Sequence, residues 1–391
     1  MEVATVGRSL GTLVGGALHD RNLLGRLDPF EIGMIVAAAA LAHDIGNPPF
    51  GHSGEDAIRS WFVTSKVSAR IRNGFSKEEV ADFENYEGNA QGFRILTRLQ
   101  MYKDQGGMRL TAATLAAFTK YPVQASTDAP NKPRVHKGKS TEKFGFFQAE
   151  RPIFEAVARM TGLLQRAEDA FCWARHPLAF LVEAADDICY RIVDLEDAFR
   201  QKLVSYQEVK ARVEPFLKPE SFKRIEQERD ESSRVDVIRS FVMRDAINYV
   251  ADAFLQRERH SEILRGEFDR EIITLTPLRE SFASIKELQR ERVYLNERVL
   301  RVEATGFRVI GGLLDAFVTA VEDYHAFHGK TKVPAESEKL FYLIPKQFLG
   351  PDGVPADSPY LRLLGVVDYV CGMTDSYALN LFRNISGISL P

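Results

Sequence analysis

The stretch from Asp28 to Asp56 constrains this chain more than any other. Asp28, Pro29 and Glu31 form a helix start, with a capping carboxylate, a proline at the first helical position and an acid in the first turn. The helix continues through Ile32, Met34, Ile35, Val36 and a run of alanines to Ala42, apolar around nearly its whole circumference. Such a helix is predicted to be buried, so the His43-Asp44 pair at its end points into an interior. Gly46, Pro48 and Pro49 then break the chain, and His52 and Glu55 follow at once. Few purely structural requirements call for all of these residues together.

The remaining sequence follows a helical plan. Val3, Val6, Leu10, Leu13, Val14 and Leu18 make one apolar stripe. Shorter helices are expected over Glu55–Val63, from Gly88 through Leu99, over Thr111–Phe118 and over Pro152–Leu164, whereas 64–82 is polar and basic and reads as surface. Pro177 opens the strongest helix, reaching Ala198. Charge-rich amphipathic helices are predicted over 205–217, 233–258, 278–297 and 299–326 as scaffold or subunit contacts. Apolar segments at 339–348 and 360–381 are expected to pack back on the core. Ile272-Ile273-Thr274-Leu275 is the one strand-like run. The expected class is all-α, with a core region at 1–204 and a C-terminal helical region at 205–391.

With 391 residues, 45% of them hydrophobic, the chain can bury a substantial core. The best apolar run, Ile32–Ala42, is about half a membrane span, and Met1–Arg8 lacks the pattern of a signal peptide, so a cytoplasmic protein without a span is expected. The three cysteines, Cys172, Cys189 and Cys371, have no metal or disulfide spacing and read as reduced core residues. A net charge of −3 gives no general attraction to nucleic acid. The cluster Lys132, Arg134, His136, Lys137, Lys139 and Lys143 is the one place for polyanion binding, and its prolines and glycine favour a solvated loop.

Divalent cations and water activation call for imidazole and carboxylate ligands converging from different elements. His43-Asp44 supplies one of each. His19-Asp20, at a polar helix end with no break after it, reads as structural by contrast. Asp186, Tyr190 and Asp194 are spaced i, i+4, i+8 along one stripe of an apolar helix, where unpartnered acids are expensive. They suit a metal ligand, a sugar-stacking ring and an acceptor for a sugar hydroxyl. A buried polar network is the plainer alternative. His52 and Glu55, three apart, allow the carboxylate to orient the imidazole as a general acid/base.

Leu41–Asp56, Tyr86–Gly92, Leu115–Pro122, Lys143–Phe147, Glu183–Asp197 and Gly372–Ala378 together resemble the bacterial dGTP triphosphohydrolase family of HD-domain phosphohydrolases, over nearly the whole chain. The resemblance implies hydrolysis of a deoxynucleoside triphosphate to deoxynucleoside and tripolyphosphate, with Mg²⁺ or Mn²⁺. It places metal ligation on His43, Asp44 and Asp186, acid/base work on His52 and Glu55, and deoxyribose recognition on Tyr190 and Asp194. It puts Asn89 near the site and makes Lys120 a phosphate contact. It also implies a homo-oligomer, with a nucleotide effector or single-stranded DNA as possible further partners. The family's first metal His and a phosphate-binding Arg precede the pattern carried here by Glu2-Val3-Ala4-Thr5-Val6-Gly7-Arg8 and so fall ahead of Met1, which implies a weaker metal hold. Two rival readings stay open: an HD phosphodiesterase acting on another nucleotide, and a catalytically weakened nucleotide- or single-strand-binding protein.

Overall fold

A computed structural model of the chain describes residues 1–101, 106–125, 127, 138–167 and 171–389. The architecture is all-α, and among the described residues the only strands are the short antiparallel pair Gln165–Ala167 and Cys172–Trp173. The helix Glu2–Asp20 lies directly against Pro29–Ala42. A glycine seam permits this: a Cβ on Gly11 would lie 2.8 Å from the Gly33 Cα, and one on Gly33 would lie 2.2 Å from the Thr12 Oγ1.

This hairpin rests on the long helix Ala179–Arg200 and, behind it, Glu231–Leu255. Leu10, Val14, Val36, Phe93, Phe118, Leu181, Ile188, Val242 and Ile285 belong to the core formed there. A second core takes Phe62, Phe83, Tyr86 and Phe147 together with Leu313, Phe317, Leu364 and Val367. The 1–204 and 205–391 segments share both cores.

Several local expectations are corrected. The helix Pro29–Ala42 is not buried all round: Ile32, Val36, Ala39 and Ala40 face the core, whereas Phe30, Met34 and Leu41 are 57%, 45% and 60% exposed. The small residues make the intimate helix contact, and the bulky ones on the outer side are left uncovered. Segment 64–82 is not all surface, because helix Lys66–Ile71 buries Ser68 and Ile71 and helix Lys77–Glu84 buries Ala81 and Asp82. Ile272–Leu275 is a single tight helical turn, in which the Thr274 hydroxyl donates to the Glu271 carbonyl and no strand lies alongside.

Among the described residues one helix, Glu297–Phe327, is long and apolar enough to cross a membrane, which Ile32–Ala42 is not. Its Val309, Ile310, Leu313, Leu314 and Phe317 are buried in the second core. All three cysteines are buried. Of the basic cluster, Lys132, Arg134, His136 and Lys137 lie outside the described residues. Lys139 pairs with Glu142 and Glu271, and Lys143 with Glu87.

Candidate active site

The capped start of Pro29–Ala42 is formed as expected. The Asp28 carboxylate accepts from the Phe30 N–H at 2.7 Å, and Glu31 accepts from the Asp28 N–H at 2.8 Å. Thirteen residues on from Phe30, the imidazole of His43 is fixed by its own helix: Nδ1–H donates to the Ala40 carbonyl at 2.7 Å. A carbonyl only accepts, so this bond settles the tautomer and turns Nε2 toward two carboxylates. Asp44 Oδ2 lies 3.1 Å from Nε2, and Asp186 Oδ1, from the helix Ala179–Arg200, lies 3.4 Å from it.

The electrostatics follow from that geometry. Burial works against charge on His43, but the bonds from Asp186 and Asp44 push its pKa up to about 10. Burial raises the Asp44 carboxyl, and its bonds to His43 and Asn47, with the charge of His52 nearby, more than offset this and hold it below the ordinary value. The trio therefore favours one positive charge. A proton on Nε2 satisfies it here, and a divalent cation is the other species that imidazole nitrogen and carboxylate oxygens accept together. Among the described residues no group of three or more His, Cys, Asp or Glu is arranged so that it could hold a metal ion. The trio offers an imidazole nitrogen and carboxylate oxygens, donor types that a divalent cation takes, without standing as a formed metal site.

The break after Asp44 is set by a close approach. A Cβ on Gly46 would lie 2.0 Å from the Gly88 carbonyl oxygen and 2.1 Å from the Gly92 nitrogen, so only glycine lets this loop touch the helix Gly88–Arg94. Phe50 at φ 65° and Gly51 at φ 58° reverse the chain, and Asp375 Oδ1 accepts from the Phe50 N–H at 2.9 Å. The next helix then begins at His52.

His52 Nδ1 is 3.0 Å from Glu55 Oε2, with side chains 81% and 2% exposed respectively. The other Glu55 oxygen accepts from the Gly88 N–H at 2.6 Å, and Arg59 and Lys143 lie 3.4 and 3.9 Å from Oε2. Burial would raise the Glu55 carboxyl, but the His52 bond, the Lys143 charge and the Gly88 N–H keep it low. The bond to Glu55 raises His52 against burial. An oriented imidazole with an exposed side chain can give or take a proton at its outer nitrogen.

Beyond Asp186, Tyr190 and Asp194 extend the same stripe by one and two turns, about 6 and 12 Å. Tyr190 stacks on Tyr294 with ring centroids 6.3 Å apart, and the Tyr294 hydroxyl donates to Asp194 Oδ2 at 3.1 Å. The sequence reading missed Tyr294. It closes a wide helical turn, Arg290–Tyr294, pinned to the long helix by the Gln289 side chain, which donates to the Arg191 carbonyl at 3.0 Å. Such turns shift the helical register, so periodicity gives no cue to them.

Asn89 is half-buried on the helix whose first N–H holds Glu55. Lys120 sits 3.2 Å from Glu183, which also pairs with the buried Arg175 at 2.7 Å. Burial opposes the Lys120 charge, and Glu183, Tyr121, Asp187 and Asp186 together keep it protonated. Asp187, also missed, is a buried carboxyl that burial and Glu183 push up to about 7. His19 and Asp20 are exposed at the end of their helix, as the structural reading expects.

An all-α protein that aims one imidazole nitrogen at two carboxylates beside an oriented His-Glu pair has the makings of a hydrolase. No family model matches the chain. It is 40% identical to a deoxyguanosinetriphosphate triphosphohydrolase-like protein of Synechocystis sp., with all of this chain and 85% of that protein aligned. A protein of the same description from Pseudomonas aeruginosa is 35% identical, again over all of this chain and 85% of the relative. One from Listeria monocytogenes is 32% identical over all of this chain and 86% of the relative. The chain belongs to the deoxyguanosinetriphosphate triphosphohydrolase family.

Proposed function

We propose that this protein, a hydrolase of that family, converts dGTP or a broader set of deoxynucleoside triphosphates to deoxynucleoside and tripolyphosphate with Mg²⁺ or Mn²⁺. The observation that carries the reading is the convergence of Asp44 and Asp186 on His43 Nε2 beside the His52–Glu55 pair. His43, Asp44 and Asp186 would hold the ion, which when bound supplies Lewis acidity toward phosphoryl oxygen and water.

The chain's own residues supply the rest. A water adds at the α-phosphorus, the bond from phosphorus to the nucleoside 5′ oxygen breaks, and tripolyphosphate keeps the oxygen of the water. The leaving 5′ oxygen needs a proton, and His52, kept protonated by Glu55, can deliver one from its outward nitrogen. Tyr190 and Tyr294 offer a stacked aromatic wall for the deoxyribose, and Asp194 accepts from its 3′-hydroxyl. Asn89 adds a polar group at the edge, and Lys120 adds positive charge toward the triphosphate. The same proposal includes a homo-oligomer in the cytoplasm, with a nucleotide or single-stranded DNA as effector.

Chromatography of products from the four dNTPs and GTP, with and without Mn²⁺, tests the reading. Equal amounts of deoxynucleoside and tripolyphosphate support it. Stepwise loss of phosphate, or faster turnover of GTP, would favour a different nucleotide hydrolase, and nucleotide-dependent thermal stabilisation without products would favour a binding protein.

A further inference from the structure

The helix Gly88–Arg94 has two working faces. One meets the candidate site: the Gly88 N–H donates to Glu55 Oε1, and the Gly88 carbonyl and Gly92 nitrogen abut Gly46 in the loop that follows Asp44. The other meets the C-terminal helix Pro359–Cys371, where Gln91 Nε2 donates to Asp368 Oδ1 at 2.8 Å. Arg94 Nε lies 2.9 and 2.8 Å from the two Asp368 oxygens, and its Nη1 donates to Glu150 at 2.6 Å. Every hydrogen bond that the structure gives the Asp368 carboxylate goes to this short helix.

The same C-terminal helix reaches the preceding segment twice more. The Tyr360 hydroxyl donates to Asp82 at 2.7 Å, and Cys371 Sγ lies 2.9 Å from the Tyr86 hydroxyl. One C-terminal element thus holds residues 82–94 along their length. The contact at Gly46 leaves no room for the helix to slide, so a shift at Arg94 is transmitted about 9 Å to Gly88.

We propose that Asp368 is a positioning residue for the His52–Glu55 pair, acting through Gln91, Arg94 and the helix whose first N–H holds Glu55. The proposal rests on the reading of that pair as the acid/base unit. The charged groups that face the pair from the packed elements are Arg59, Glu87, Lys143 and, across the loop, Asp44. None of them belongs to the clamp itself, so a change at Asp368 reaches His52 through position rather than through direct charge.

The test compares Asp368→Asn and Gly88→Ala with Val318→Ala, a buried control in the same second core. Asp368→Asn loosens one end of the clamp. Gly88→Ala places a methyl 2.8 Å from Glu55 Oε1 and disturbs the other end without touching the C-terminal helix. Both are expected to lower kcat by about tenfold with KM within about twofold. Both should also move the His52 titration, followed by NMR, down toward the ordinary histidine value. Val318→Ala is expected to melt earlier with kcat and the titration unchanged, and Asp368→Glu to recover part of the loss. Should Asp368→Asn not fold, Gln91→Leu carries the same reading, since it drops the Gln91 bonds to Asp368 and Tyr86 and keeps the ion pair. Natural kcat and natural His52 titration in the clamp variants, or equal losses in Val318→Ala, would overturn the proposal. If the natural chain releases no tripolyphosphate, the functional reading fails, and the NMR titration still decides the clamp.

Discussion

Around His43, two carboxylates converge on one imidazole nitrogen where the side chains reach solvent; around Arg94, two carboxylates converge on one guanidinium that is almost wholly buried. The side chains of His43, Asp44 and Asp186 are 23%, 66% and 37% exposed, whereas Arg94, Glu150 and Asp368 are 10%, 0% and 1% exposed. Both sets place anions around a cation. They differ in what is left over. Arg94 spends its fork on Asp368 and Glu150, and Gln91 takes a further Asp368 lone pair. His43 gives one nitrogen to the backbone and leaves the other, with its one proton, facing two acceptors. A closed set holds elements together, and an open one can exchange its proton for another cation.

Four changes would break or sharpen this contrast. Asp186→Ala is expected to lower tripolyphosphate release roughly a thousandfold and to abolish bound Mn²⁺, while leaving the melting temperature near that of the natural chain. Retained metal and more than a tenth of the turnover would show that the open set is not the metal site.

Asp368→Ala is expected to act mainly on stability, costing about 3–5 kcal/mol in denaturant unfolding besides its loss of kcat, because it strips one anion from a buried guanidinium. A loss under about 1 kcal/mol would show that the closed set is not closed in solution. Glu55→Gln should lower kcat about a hundredfold, with the His52 titration displaced downward, since its carboxylate is what raises that imidazole. A kcat within about twofold of natural would remove Glu55 from the proton transfer.

The smallest effect concerns His176, just ahead of the helix that carries Asp186. Burial pushes its pKa from 6.5 down to about 4, and Nδ1 accepts from the Leu178 N–H at 3.2 Å, as a neutral ring can. The unfolded chain takes up the proton first. Stability from this group is therefore complete above pH 6.5 and is lost as pH falls toward 4, by about 1–2 kcal/mol once partial solvation is allowed for. Thermal melts across that window, with His176→Gln as reference, should show the slope only in the natural chain.

Local chemistry was the legible part of the sequence. The Asp28 cap, the glycine and proline break, and the His52–Glu55 spacing each depend on a few neighbouring residues, and each takes its expected form. The meeting of His43 with Asp186 was implied by the family resemblance, and the structure supplies that contact. Other features depend on partners far along the chain. The outer face of Pro29–Ala42 looked like core by composition, yet the glycine seam with the first helix decides which side is covered. Lys120 carried no sign of its pairing with Glu183. Tyr294 follows a wide turn that breaks the periodicity by which helical faces are read. The Asp368 clamp joins two segments by side chains whose spacing reveals nothing about each other.

The central claim is that water attacks phosphorus and the nucleoside leaves whole. Hydrolysis of dGTP in ¹⁸O-labelled water with Mn²⁺, with both products weighed by mass spectrometry, tests it most directly. One labelled oxygen in tripolyphosphate and none in deoxyguanosine is the expected result. Label in the deoxynucleoside, or dGDP or dGMP as product, would contradict it.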